Sequence, residues 1–156
     1  MRILVKVSGD LVRDKKVIGE VKNLSKKNEV TLIHGAGTQI SGALKKNNIS
    51  YGFIGGIRHT TEEGMEICFR ESQKVRKRLE KEFRGMDIRI VSPVIKDDDK
   101  KNPMIINKNA EEIFRDIHKG FDRKIIFTVS EREKPLIKNI KDAEVIRLDP
   151  LIKKRF

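Results

Sequence analysis

The feature that most constrains this chain is an order of elements repeated along it. A short β-branched run leads into a loop containing glycine, and apolar residues at helical spacing follow. Residues 2–7 (Arg-Ile-Leu-Val-Lys-Val) read as a buried strand stopped by Ser8-Gly9. Val17, Ile18, Val21 and Leu24 then recur at helical spacing, with lysines facing out. Glu29–Ile33 reads as a second strand that runs into His34-Gly35-Ala36-Gly37, after which Ile40, Ala43 and Leu44 continue as a helix. Strand, glycine loop and helix in that repeated order predict parallel strands joined by right-handed crossovers. The expected fold class is therefore α/β, with helices on a mainly parallel sheet.

The rest of the chain continues the pattern. Tyr51–Ile54 precedes Gly55-Gly56-Ile57-Arg58-His59-Thr60, and Thr60 with Glu63 has the spacing of a capping box for a long helix running to about Phe83. Ile88, Ile90 and Val91 make a third core strand closed by Pro93. The acidic and basic stretch Lys96–Pro103 reads as an exposed turn or hairpin tip, and Met104–Ile106 as a short strand. Asn109 with Glu112 has capping-box-like spacing for a further helix. Arg123–Thr128 and Glu144–Leu148 are the last strands, and the tail Lys153–Arg155 is expected to fray. A length of 156 residues fits one domain over 1–156.

Composition narrows the class of function. Lys and Arg number 35 against 23 Asp and Glu, a formal net charge of +12. Such an excess invites nucleic-acid or acidic-partner binding. The basic run Lys74–Arg78, however, lies opposite Phe69, Val75, Leu79 and Phe83 on one helix, so it also reads as a solvated face, and nucleic acid is not the favoured partner. One Tyr and no Trp leave few stacking surfaces for bases. The single Cys68 excludes an intrachain disulfide and suits a reducing, cytoplasmic setting. No apolar run approaches a membrane span, and Met1–Asp10 does not resemble a signal peptide. His34, His59 and His118 have no metal-ligand spacing with Cys68, so no protein-held metal is expected.

In an open parallel sheet, ligands sit beyond the carboxyl ends of the strands. The strand ends carry Ser8-Gly9, His34–Gly37, Asn107–Asn109 and Thr128. Glycines there let backbone N–H groups approach an anion, and a following helix N-terminus adds a favourable dipole. Lys6 is the one charged residue inside an apolar run, and Arg58 could clamp a carboxylate. Each also has a plainer reading. Lys6 could snorkel from an edge strand, Arg58 could form a surface ion pair, Asn107 and Asn109 could be a turn and a cap, and Glu111 a first-turn acid.

Taken in order, Lys6-Val7-Ser8-Gly9, Ile33-His34-Gly35-Ala36-Gly37 and Gly56-Ile57-Arg58-His59-Thr60 resemble the successive signatures of the amino acid kinase superfamily. The last of these is most similar to the acetylglutamate kinase branch, as is Ile106-Asn107-Lys108-Asn109-Ala110-Glu111. Lys124–Thr128 resembles the strand that ends near the nucleotide, so the likeness spans about residues 2–130.

The resemblance implies an αβα sandwich with a substrate side over about 1–95 and a shortened nucleotide side over about 96–150. It also implies phosphoryl transfer from ATP, with Mg2+, to the carboxylate of an acyl amino acid. Lys6 would stabilise the transferring group, with Glu111 orienting catalytic lysines. Ser8, Gly9 and Thr128 would lie against the nucleotide phosphates. Gly35 and Gly37 would donate backbone N–H groups, while Arg58, Asn107 and Asn109 would bind substrate. His34 is expected to be structural, because a carboxylate needs no proton removed. Departures from the pattern are Ser8 and Ala36 in place of glycines, Glu111 in place of Asp, and Val129 in place of an acid. The long helix also passes almost directly into the third core strand, and the sequence stops soon after Leu148, before a second catalytic lysine. A homodimer stands among the partners considered, beside a small anionic substrate and a nucleotide. Beside the kinase reading stand a non-catalytic module that binds an anionic metabolite or nucleotide, or regulates a partner, and the nucleic-acid-binding domain.

Overall fold

A computed structural model describes residues 1–97, 104–129 and 140–149. The apolar run of β1 (Arg2–Val7) makes it the middle strand of the sheet, buried on both faces from Ile3 onward. On one side it pairs in parallel with β2 (Glu29–His34), which pairs in turn with β5 (Ile88–Val91). On the other it pairs with β8 (Arg123–Val129), and β8 with β9 (Ala143–Leu148), giving five parallel strands in the order β5-β2-β1-β8-β9. The expected third core strand is thus an edge strand. Its partner edge, β9, is held partly by charge: Arg123 donates to Glu144 at 2.7 and 3.1 Å, and Lys124 pairs with Asp142.

Alternation along the strands divides the core into two faces. Ile3, Val5 and Val7 join Leu32, Ile125 and Phe127 beneath α1 (Lys15–Ser25), α2 (Gly37–Lys46) and α3 (Glu62–Glu82). Leu4, Ile33 and Ile126 face the other way and pack on Phe114 of α4 (Ala110–Ile117). The result is the expected three-layer αβα sandwich. Two antiparallel hairpins, β3 (Tyr51–Ile54) with β4 (Ile57–Thr60) and β6 (Val94–Asp97) with β7 (Met104–Asn107), stand outside the main sheet. The chain builds outward from β1 to β2 and β5, then returns past β1 to β8 by way of α4 on the opposite face. That reversal of strand order opens a crevice at the carboxyl end of β1.

Local signals set the helix starts, with two corrections to the expected caps. Asp14 caps α1 by accepting from Lys16 N and Val17 N. Thr61, not Thr60, caps α3, accepting from Gly64 N at 3.0 Å, because Thr60 Oγ1 donates instead to Ser50 O at 2.7 Å. Asn109 caps α4 through Glu111 N rather than Glu112 N. The expected hairpin over Lys96–Pro103 has its flanking strands in β6 and β7, while 98–103 and the tail Lys153–Arg155 lie outside the described residues. Among the described residues, no helix is long and apolar enough to cross a membrane.

Phe114 is the fully buried residue of α4 and anchors it on the sheet's second face, with Ala110, Ile113 and Ile117 packed beside it. Phe114→Ala is therefore expected to cost about 3–5 kcal/mol, read as a fall in the urea midpoint at unchanged slope. A loss below about 1 kcal/mol would show that α4 is held by something other than this side chain.

Candidate functional site

The crevice holds a cavity of about 700 Å³ between the ends of β1 and β2, the start of α2, the β3–β4 hairpin and the β7–α4 loop. Lys6 lies at its floor, only 3% exposed, with Ile33 and Ile126 as its register neighbours in β2 and β8. Because β1 is central, snorkelling from an edge is ruled out, and the ammonium sits among apolar strands with the cavity above it. Glu111, in the first turn of α4, lines the same cavity.

The glycine loops are in place, but they work differently from expectation. The Gly35 N–H donates to Val7 O at 2.8 Å, continuing the β1–β2 ladder, so it is not offered to a ligand. Gly35 is needed for a different reason: a Cβ there would lie 2.7 Å from Gly9 N. A Cβ on Gly9 would in turn meet Gln39 Oε1 at 2.8 Å and Ala36 at 3.3 Å. Ala36 sits at φ −146°, where no glycine is required. Gly37 opens α2, whose first intrahelical bond runs from Ile40 N to Ala36 O. The amides of Gly37, Thr38 and Gln39 therefore have no acceptor within the helix and carry its positive dipole end to the cavity wall. Ser8 gives its N–H to Phe127 O, while its Oγ is buried and unpartnered beside the cavity.

Arg58 is 7% exposed and is largely committed. Nη2 donates to Gly37 O at 3.1 Å and Ser41 Oγ at 3.0 Å, and the guanidinium lies over the rings of Tyr51 (4.5 Å) and Phe53 (4.7 Å). A bidentate clamp through both terminal nitrogens is thus not available; Nη1 is buried without a partner and is the group left for an anion. The Tyr51 phenol is held below its ordinary pKa by the Ser41 hydrogen bond first, then by the nearby Arg58 and Lys45 charges.

The two asparagines expected to touch substrate both reach the hairpin. Asn107 Nδ2 donates to Arg58 O at 3.3 Å, and Asn109 Nδ2 to Gly56 O at 2.9 Å. Thr128 is fully buried with its Oγ1 unpartnered, outside the cavity lining. The structure thus brings together Lys6, Ser8, Gly9, Gly35, Gly37, Arg58, Asn107, Asn109 and Glu111, and leaves Thr128 apart. Sequence reasoning missed Ser41, Lys45, Tyr51, Phe53 and Lys108. Ser41 and Lys45 lie one turn apart on α2, the only signal that could have paired them. Lys6, Lys45, Arg58 and Lys108 face the cavity against one carboxylate, Glu111, so its field favours anions. No three His, Cys, Asp or Glu side chains among the described residues come together to hold a metal ion.

Cations, a helix N-terminus and an orphaned hydroxyl thus meet at the switch point of a doubly wound α/β sheet. The model of the amino acid kinase family matches residues 1–82, more than half of the 156, and the chain belongs to that family. Among solved structures, it resembles N-acetylglutamate synthase from Neisseria gonorrhoeae complexed with coenzyme A and L-arginine, at 13% identity and a TM-score of 0.66. That likeness covers 85% of this chain but 44% of the synthase, so the chain spans less than half of that protein's length. It also resembles smu.665 from Streptococcus mutans UA159 at 14% identity and a TM-score of 0.58, covering 85% of this chain and 73% of that one. Both likenesses concern the fold. No curated protein sequence matches the chain.

His34 lies behind this site, not in it. It is fully buried, with Nδ1 3.2 Å from Gly35 O and Nε2 2.8 Å from Ser92 Oγ. Burial, partly offset by the Gly35 hydrogen bond, lowers its pKa from 6.5 to about 4. The unfolded chain takes up this proton first as pH falls, so the neutral ring's contribution is complete above about pH 6.5 and lost towards pH 4. Between neutral pH and about pH 4, the wild type is expected to lose about 3 kcal/mol more urea stability than His34→Gln. Equal losses in the two proteins would remove His34 from the acid response.

Proposed function

We propose that this chain binds a small amino-acid-derived acid together with MgATP and transfers a phosphoryl group to a carboxylate of that acid, N-acetylglutamate being the type. The observation that carries this reading is Lys6, a lysine buried in the central strand beneath a cavity that faces it with glycine loops and a helix N-terminus. An ammonium placed beneath such a cavity can stabilise the negative charge of a phosphoryl group in transfer.

The residues present fit a nucleotide's phosphates: the buried, unpartnered Ser8 Oγ and the first-turn amides of α2 are donors in want of oxygen acceptors. Bound MgATP supplies the phosphoryl group, with magnesium carried by the nucleotide. The chain's own part is positioning and charge. Lys6 Nζ stabilises the negative charge on the group in flight, and Glu111 orients that ammonium. Arg58 Nη1 holds a carboxylate of the acid, and Lys45 beside Tyr51 adds a second cation at that end. Gly9 keeps its backbone close to the phosphates, and Thr128 supports the loop behind Ser8. An ionised carboxylate is already a nucleophile, so no base is required, in keeping with a buried neutral His34.

A second reading, binding without turnover, is favoured by one observation: the Asn107 and Asn109 amides and the Gly35 N–H are spent within the protein. Calorimetry with MgATP, MgADP and N-acetyl-L-glutamate, followed by an assay of ADP release, separates the two. Heat of binding with ADP release supports transfer; heat without release supports the second reading. No heat at millimolar nucleotide overturns the kinase reading. Lys6→Met is expected to lower turnover about 100-fold or more, roughly 3 kcal/mol of transition-state stabilisation, while the circular dichroism spectrum stays unchanged. Full turnover in that variant would exclude Lys6 from the mechanism.

A further inference from the structure

The β3–β4 hairpin carries Arg58 yet stands outside the main sheet. An isolated two-stranded hairpin is marginal in water, so what fixes this one determines where Arg58 sits. Its tip is Gly55-Gly56, both at positive φ (58° and 80°), and Phe53 and Ile54 beside it are 58% and 69% exposed. Little apolar burial holds that end. At its other end the hairpin runs into the Thr61 cap of α3, and Arg58 Nη2 reaches α2 midway.

We infer that Asn109 is a positioning residue: its Nδ2 bond to Gly56 O ties the hairpin tip to the first turn of α4 and so holds Arg58 over the cavity. Both halves of the Asn109 amide are used. Oδ1 accepts from Glu111 N at 2.8 Å, and Nδ2 donates to Gly56 O at 2.9 Å. The donor of Glu111 and the acceptor of Gly56 fix which way the amide points, since a flipped group would set two donors and two acceptors against each other. One side chain therefore joins the loop that presents Arg58 to the turn that presents Glu111, across a separation of 53 residues. Asn107 Nδ2, donating to Arg58 O, supports the same hairpin nearer its root. Neither serine nor aspartate can do both jobs. Each can cap α4, but serine is too short to reach Gly56 O, and aspartate would place an acceptor against it.

That the tether serves ligand binding rests on the functional reading above; the tether itself is tested in the ligand-free protein. Tyr51 is the only tyrosine and the chain has no tryptophan, so its ionisation can be followed by absorbance without interference. In Asn109→Ser, hydrogen exchange at residues 51–58 is expected to quicken tenfold or more while α4 keeps its protection. The Tyr51 phenol, now less firmly placed beside Ser41 and Arg58, should titrate closer to its ordinary value. Asn109→Asp should quicken hairpin exchange in the same way. Unchanged hairpin exchange in both variants overturns the proposal, as does α4 loosening as much as the hairpin in Asn109→Ser, which would make Asn109 a cap and nothing more. If the wild type binds neither N-acetyl-L-glutamate nor MgATP, the functional reading fails, and the exchange result still decides the tether.

Discussion

Everything at the carboxyl end of the sheet depends on how closely two backbones approach there. Gly35, just past β2, approaches Gly9, beyond β1, so closely that a Cβ on Gly35 would collide with the Gly9 amide, while one on Gly9 would press on the Gln39 side chain and the Ala36 backbone. The contact is reinforced by Gly35 N–H bonding to Val7 O and by Gln39 Nε2 bonding to Gly9 O at 2.8 Å. It brings the start of α2 directly over the end of β1, and the helix amides, Ser8 Oγ and Lys6 then share one cavity. The cavity is thus a product of the packing between two loops, and its position follows from the strand order rather than from any one motif.

Much of this was legible in the sequence because parallel strands buried on both faces must read as continuous apolar runs. Lys6 stood out against such a run, and the glycine loops were visible as breaks between strand and helix. What the sequence could not carry was the destination of individual hydrogen bonds. Thr60 and Thr61 are adjacent and chemically equivalent; the cap fell to Thr61 only because Ser50 O, across the hairpin, takes the Thr60 hydroxyl. Asn107 and Asn109 had the right spacing for a ligand site, yet their amides go to carbonyls about fifty residues away in the chain. Gly35 lies at the cavity, but its amide belongs to the ladder and its smallness to the contact with Gly9. Val129, where the resemblance led one to look for an acid, is a core residue of the α1–α3 face.

The charge of +12 looks different once placed. On the helix surfaces several cations have acidic neighbours, as in Lys22–Glu82, Lys74–Glu71 and Arg76–Glu80, and exposed pairs of this kind contribute little. Their effect is on solubility and on long-range attraction of anions. In the cavity the balance is unequal, with four cationic side chains facing one carboxylate, and Lys6 and Arg58 among them are buried, where solvent screens charge least. A small anion would find there what a long polyanion would have to seek across a mixed surface.

The placement of Lys6 has a consequence for how this sequence can drift. An ammonium held in the middle strand between Ile33 and Ile126 is an expense to the fold, whatever companions it keeps, because an apolar side chain of similar length would pack there without being taken from water. Residue 6 is therefore a point where usefulness and durability pull apart. A lineage released from any need for the ligand would be one substitution away from a tighter core, and the first trace of lost use would be an ordinary hydrophobic strand.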